Sequence, residues 1–329
     1  GRDVVVVKFS PSLAVISSVT VGDHGGVHVE GWAVAVHPSG DIYVTGKSSG
    51  NPSVTPDPAD ALLLKFNSGL VLQASVTFNG SGNGHDSGYE LATALDGNII
   101  VAGETHGTDA DVWIAKFNTS LALISSATFN SGSTETARGV AIDASGSIYV
   151  VGRTSAGVSG NDFLMLKYDQ NLAFLSSRTF NGAANGNDEA TDLALDAAAN
   201  LLLSAQTDFF PGVDGGDIAI YKFSPSLVFV SSAGHSTGIE EGGAAVAVGV
   251  APDVYAVGYS FTGTSDEVHT IRRSLASSAG GGPVTFDFTG NFAGSGALIA
   301  SNPPQTDVAR HVLVDTQTAG GPFIYASFI

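Results

Sequence analysis

A seven-residue segment returns at nearly regular intervals along this chain. DVVVVKF at 3–9 comes back as DALLLKF at 60–66, DVWIAKF at 111–117, DFLMLKY at 162–168 and DIAIYKF at 217–223, and DEVHTIR at 266–272 is a degenerate sixth copy. The leading aspartates stand 57, 51, 51, 55 and 49 residues apart. A chain with such a period is built from copies of one small unit, and each unit must stack on its neighbours to bury its apolar face.

Three further segments share the period. A Ser-Ser-Thr segment follows the first five copies, as in LAVISSVTV at 13–21 and LALISSATF at 121–129. An Ala-rich segment reads WAVAVH at 32–37, LATALD at 91–96, GVAID at 139–143, DLALD at 192–196, AAVAVG at 244–249 and HVLVD at 311–315. A fourth reads DIYVTG at 41–46, NIIVAG at 98–103, SIYVVG at 147–152, NLLLSA at 200–205, DVYAVG at 253–258 and FIYASF at 323–328. All are short, rich in β-branched and aromatic residues, and bounded by Gly, Asn, Asp or Ser. That is the signature of strands. No segment shows a helical period.

In chain order the Ala-rich strand is A, the Tyr-Val-Gly strand B, the Lys-Phe strand C and the Ser-Ser-Thr strand D. Four short strands per unit of about fifty residues make a propeller blade. The expected fold is all-β: a six-bladed β-propeller with four antiparallel strands per blade. Its blades cover roughly 31–79, 89–130, 138–181, 190–235, 243–290, and 309–328 together with 3–21. The fifth blade takes VTFDFTG at 284–290 as its D strand. The chain opens on an unmatched C–D pair and closes on an unmatched A–B pair, so a two-plus-two closure of the termini is expected. Closure hides sheet edges that would otherwise pair with other chains. Strand A, alternating large and small residues, is expected innermost.

The D-x-(apolar)-K-[FY], A-(apolar)-D and [IV]-Y-V-x-G strands resemble the SBBP-type beta-propeller repeats of large secreted and surface proteins of bacteria and archaea. The resemblance covers nearly the whole chain and is weakest in the sixth blade. It implies a secreted or cell-surface setting, often as one module of a larger assembly. It carries over no catalytic residue, because that family shares none. The chain begins at Gly1 rather than Met and reads as processed or cut from a longer one.

Charge narrows the function. Lys and Arg number 13 against 31 Asp and Glu, a net −18. Nucleic-acid binding needs clustered cations and is not expected. Neither is docking on an anionic membrane. No apolar run approaches the roughly 18 residues of a membrane helix, so membrane insertion is not expected either. Cysteine is absent, which removes disulfides, thiolate metal sites and cysteine nucleophiles. The eight histidines are scattered without metal-ligand spacing, and no nucleophile elbow or phosphate loop occurs. No catalytic residue is assigned.

Residues that recur from blade to blade read as structural: Lys8, Lys65, Lys116, Lys167 and Lys222 at the end of strand C, and the aspartates that open it. Residues that differ between blades are the better pointers to a ligand. One position at the start of strand A reads Trp32, Leu91, Arg138, Thr191, Ala244 and Arg310. The position after the strand-B glycine, or its equivalent, reads Lys47, Glu104, Arg153, Gln206 and Tyr259, while Asp192 and His311 replace a small residue of strand A. The candidate ligand-binding set is therefore Trp32, Arg138, Arg310, Lys47, Glu104, Arg153, Asp192 and His311. Arg138, Arg310 and Trp32 suit an anionic sugar or a peptide carboxylate.

Acids gather just before strand A: Glu30, Glu90, Glu135, Glu189, Glu241 and Asp307. If strand A lines a channel, they ring one mouth and form a candidate metal set. Ca²⁺ is the one cofactor they suggest; otherwise none is expected. Two function classes follow. One is a non-catalytic binding or structural module with a protein or carbohydrate partner at the cell surface. The other is a secreted Ca²⁺-dependent hydrolase or lyase acting on a lactone or polysaccharide.

Overall fold

A computed structural model describes residues 3–10, 12, 14–22, 28–49, 59–80, 84–157, 160–182, 186–207, 216–235, 240–248, 253–261, 266–274, 309–315 and 323–328. The described elements are all strands, paired antiparallel. Three complete sheets lie in sequence: β3 (His28–Val36) to β6 through β4 (Ile42–Ser49), β5 (Ala59–Phe66) and β6 (Leu72–Phe78); then β7 (Ser87–Thr93), β8 (Ile99–His106), β9 (Ala110–Phe117) and β10 (Leu123–Phe129); then β11 (Glu135–Ile142), β12 (Ile148–Thr154), β13 (Asp162–Tyr168) and β14 (Phe174–Phe180). A fourth holds β15 (Asp188–Leu195), β16 (Leu201–Thr207), β17 (Asp217–Phe223) and β18 (Phe229–His235). A three-stranded sheet follows, of β19 (Glu240–Val248), β20 (Asp253–Phe261) and β21 (Asp266–Ser274). Two-stranded sheets occur at the ends, β1 (Val4–Phe9) with β2 (Val15–Val21) and β22 (Ala309–Asp315) with β23 (Phe323–Phe328). From β21 onward only backbone is described. The expected D strand at 284–290 lies outside the described residues.

The chain divides into two compact units, one of residues 1–156 and 166–177, the other of 157–165 and 178–329. In the first unit the core lies between successive sheets. Ala33, Tyr43, Ala61 and Leu63 of the first sheet meet Leu91, Ile99, Val101, Trp113 and Phe117 of the second. In the second unit Leu202 and Ile220 pack with Val246, Val254 and Ala256. The B and C strands are buried on both faces, which is why they read as continuous apolar runs. D strands alternate half-buried and exposed residues.

The turns explain the repeat. In three C–D turns a polar side chain accepts two backbone N–H groups, as Asn118 Oδ1 does from Ser120 and Ala122 at 2.9 Å each, and in two others the Ser10 and Ser224 hydroxyls accept the Ala14 and Val228 N–H groups. Three residues on stands a leucine in the left-handed region: Leu70, Leu121, Leu172 and Leu227 have φ of 62°, 63°, 65° and 62°. Leucine is disfavoured there. Burial of each side chain offsets the strain.

The repeated lysines are fixed on two sides. Lys65 Nζ lies 3.0 Å from Asp41 and donates to the Thr119 carbonyl at 2.9 Å. Lys116 Nζ lies 2.6 Å from Asp96 and donates to the Gln170 carbonyl at 2.8 Å. Each therefore ties its own A–B turn to the C–D turn one repeat later. Lys8 reaches the Ser68 carbonyl in the same way at 3.1 Å.

One expectation changes. Strand A begins earlier than its apolar run suggests, at Ser87 rather than Leu91 in the second repeat and at Glu135 in the third. Glu30, Glu90, Glu135 and Glu189 thus lie within strands β3, β7, β11 and β15 rather than in loops before them. Polar residues are held in the ladder there because a partner B strand supplies their backbone bonds.

Candidate functional site

Every A strand carries a bulge at the same place. The register against strand B slips by one between Gly31 and Ala33, Gly88 and Glu90, Ala137 and Gly139, Ala190 and Asp192, Gly243 and Ala245, and Ala309 and His311. The extra residues are Trp32, Tyr89, Arg138, Thr191, Ala244 and Arg310. A bulge re-aims one side chain out of the pleat. This set matches the position singled out from the sequence with one correction. Its member in the second repeat is Tyr89, whereas Leu91 is a core residue, 4% exposed.

Opposite the bulge stands the strand-B glycine. A Cβ on Gly46, Gly103 or Gly152 would overlap the carbonyl oxygen of Glu30, Ser87 or Thr136. The motif glycine therefore answers a close backbone approach. Ala205 holds this place in the fourth sheet.

In the first unit the bulged side chains stack. Trp32 and Tyr89 lie face to face, centroids 4.5 Å apart and 10° from parallel. Lys47 Nζ is 5.2 Å from the centre of Trp32, and the Arg138 guanidinium is 4.3 Å from that of Tyr89. Cation–π and stacking contacts of this kind contribute about 0.5–2 kcal/mol each. The Tyr89 hydroxyl donates to Glu104 Oε1 at 2.5 Å, and Thr136 donates to Glu104 Oε2 at 3.0 Å. His106 Nε2 lies 3.3 Å from the same carboxylate. Burial, then the charge of Glu104, push the Tyr89 phenol well above its ordinary range, so it stays a donor. Glu30 lies 3.7 Å from Lys47.

Four members of the candidate ligand set, Trp32, Lys47, Glu104 and Arg138, are thus joined through Tyr89, a residue that sequence reading passes over. Arg153 pairs across the ladder with Thr136. Asp192, in the second unit, accepts the Val246 N–H at 2.8 Å and the Leu193 N–H at the same distance. The side chains of Arg310 and His311 lie outside the described residues, as do those of Glu241 and Asp307.

The candidate metal set is dispersed. Glu30 faces Lys47, Glu90 accepts its neighbour Leu91 N–H at 2.9 Å, and Glu189 sits half-buried in β15. Glu135 is fully buried and accepts from the Thr154 hydroxyl at 3.2 Å, the Ser131 hydroxyl and the Ser131 N–H. Among the described residues no group of three or more His, Asp or Glu is arranged to hold a metal.

No protein-family model matches the chain, and no curated protein does. Solved structures are similar in fold. A protein of unknown function from Dyadobacter fermentans matches with 11% identity over 75% of this chain and 76% of its own, TM-score 0.51. The periplasmic gluconolactonase of Pseudomonas aeruginosa matches with 11% identity over 82% of this chain and 78% of its own, TM-score 0.49. The WD40 domain of Neurospora crassa Pan2 matches with 9% identity over 74% of this chain, which spans 63% of that domain, TM-score 0.45. Such identities bear on the fold alone.

Proposed function

We propose that the chain is a non-catalytic β-propeller module of the SBBP-repeat kind, secreted or held at the cell surface, that binds a protein or carbohydrate partner within a larger extracellular assembly. Its recognition residues are the bulged side chains. One observation carries this reading: every A strand has the same bulge, and the bulged residue differs from repeat to repeat. A device kept for structure alone would need no such variety. In the first unit both outer faces of the Trp32–Tyr89 stack are covered by cations. A partner therefore meets Arg138 and Lys47 rather than a bare ring, and an anionic sugar or carboxylate is the chemistry that suits them.

The six bulges serve one mouth if the ring closes, with β1 and β2 completing the blade of β22 and β23. Supporting this, β1 carries exposed Val5, Val7 and Phe9, and its partner strand is β2 alone among the pairings described.

Arrays of acidic and neutral glycans and of peptides test the binding reading. Binding to an acidic ligand, weakened at least tenfold by Arg138→Ala and by Trp32→Ala, is expected. Equal affinity in both variants removes this site. Turnover of a lactone or polysaccharide, abolished by Glu30→Gln or Glu90→Gln, would replace the module by an enzyme.

A further inference from the structure

Where one sheet follows another, a buried carboxylate of the later sheet comes close to a half-buried aspartate of the earlier one. Asp86 N–H donates to the Ala59 carbonyl at 2.6 Å, which sets Asp86 beside Asp60. Asp188 N–H donates to the Asn161 carbonyl at 2.8 Å, which brings the Asp188 backbone to that of the residue before Asp162. At the junction between them, Asp111 lies within the field of Glu135. Asp86, Glu135 and Asp188 are 0%, 0% and 1% exposed.

A neutral oxygen accompanies each pair. A Cβ on Gly80 would strike the Thr105 hydroxyl and the Asp86 carboxylate, so the two crowd one cradle. Thr154 and Thr207, at the same place in later B strands, donate to Glu135 and Asp188. Backbone N–H groups of Gly80 and Gly182 donate to Asp86 Oδ2 and Asp188 Oδ2, both at 2.7 Å.

These donors do not satisfy the pairs. Asp86 Oδ1, Asp111 Oδ1, Asp162 Oδ1 and Asn181 Oδ1 are buried and accept no hydrogen bond from the protein. All four are acceptors, gathered at the same junctions. A buried acceptor without a partner is costly, and two neighbouring buried carboxylates oppose each other's ionisation. Burial holds Asp60, Asp111 and Asp162 above the ordinary carboxylate range; the charge of Asp86 adds to it at Asp60 and that of Glu135 at Asp111, while at Asp162 burial acts alone. A proton or a cation relieves such a pair. Carboxylate, hydroxyl and carboxamide oxygens in an irregular arrangement suit Ca²⁺, whose coordination is adaptable, rather than Mg²⁺, which demands an octahedron.

We propose that the junctions between successive sheets are Ca²⁺ sites, with Asp60 and Asp86, Asp111 and Glu135, and Asp162 and Asp188 as their carboxylates. These lie apart from the acids that the sequence places before strand A, Glu135 excepted. The proposal stands independently of the binding function above.

The test is calorimetric titration of CaCl₂ into the full chain stripped with EDTA, with MgCl₂ as control, beside melting curves in EDTA and in millimolar Ca²⁺. Saturable Ca²⁺ binding, far weaker Mg²⁺ binding and a rise in Tm of several degrees are expected. Asp60→Asn and Asp162→Asn should each remove one site. Each should melt no lower than wild type in EDTA, because the like-charge pair is gone. No Ca²⁺ heat and identical wild-type melting in EDTA and Ca²⁺ would overturn the proposal. So would Asp60→Asn raising Tm equally in both media, which assigns a shared proton instead.

Discussion

Aspartates of this chain divide into two electrostatic kinds. Asp41 is held below the ordinary carboxylate range by its hydrogen bond to Lys65. Burial pushes Asp96 and Asp196 up, but hydrogen bonds from Lys116 and Lys222 and from Asn98 and Asn200 bring both below that range. A carboxylate depressed in the folded state adds stability that is complete above its unfolded pKa and lost as pH falls through the folded one. Asp60, Asp111 and Asp162 are raised, so their ionisation weakens the fold as pH rises from the ordinary value through the raised one. Lys116→Met should therefore lower Tm by several degrees at pH 7, and the deficit should shrink below about pH 4 as Asp96 protonates. Lys47→Met, outside that repeated network, should shift Tm by no more than a degree or two. Equal losses from the two lysines, read by calorimetry, would undo the division between repeating and varying cations. The sequence shows these roles because Lys116 recurs and Lys47 does not. It hides Tyr89, since the apolar run of the second repeat starts at Leu91 and draws the alignment two residues along. It also hides the junction pairs, whose members stand some 25 residues apart and meet only in the fold.

At the scale of an element, the bulge decides where recognition side chains point. It depends on the glycine across the ladder. Ala205 fills this place in the fourth sheet, but at Gly103 even a Cβ would overlap the Ser87 carbonyl, so Gly103→Ala should already be destabilising. Gly103→Val would drive a branched side chain into the Ser87 carbonyl. We expect it to lower Tm by several degrees and to unstack Tyr89 from Trp32. Near-ultraviolet circular dichroism reads the stack directly; an unchanged aromatic signal in Gly103→Val would separate glycine from bulge. The left-handed leucines set a second element-scale test. Leu121→Ala keeps the strained φ and loses the burial, and should cost about 2–5 kcal/mol. Leu121→Gly relieves the strain and should cost less, the reverse of the usual order. Strand identity and turn chemistry were legible in the repeated words of the sequence. The bulge was not, because one extra residue leaves the apolar count of strand A unchanged.

For the whole molecule, four-stranded antiparallel sheets recur in the order the repeat dictates, while ring closure remains the step on which a single recognition mouth depends. If β1 and β2 complete the blade of β22 and β23, removing residues 1–21 strips two strands from it, exposes its edges and causes aggregation. The most direct measurement is amide hydrogen exchange of the intact chain, resolved residue by residue over Val4–Phe9. In a closed ring β1 is hydrogen-bonded on both sides, to β2 and to the last strand. All its amides should then be protected to the level of β9, a C strand paired on both sides by β8 and β10. If alternate amides of β1 exchange within minutes while β9 stays protected, the ring is open at that edge, and the six bulged side chains do not share one mouth.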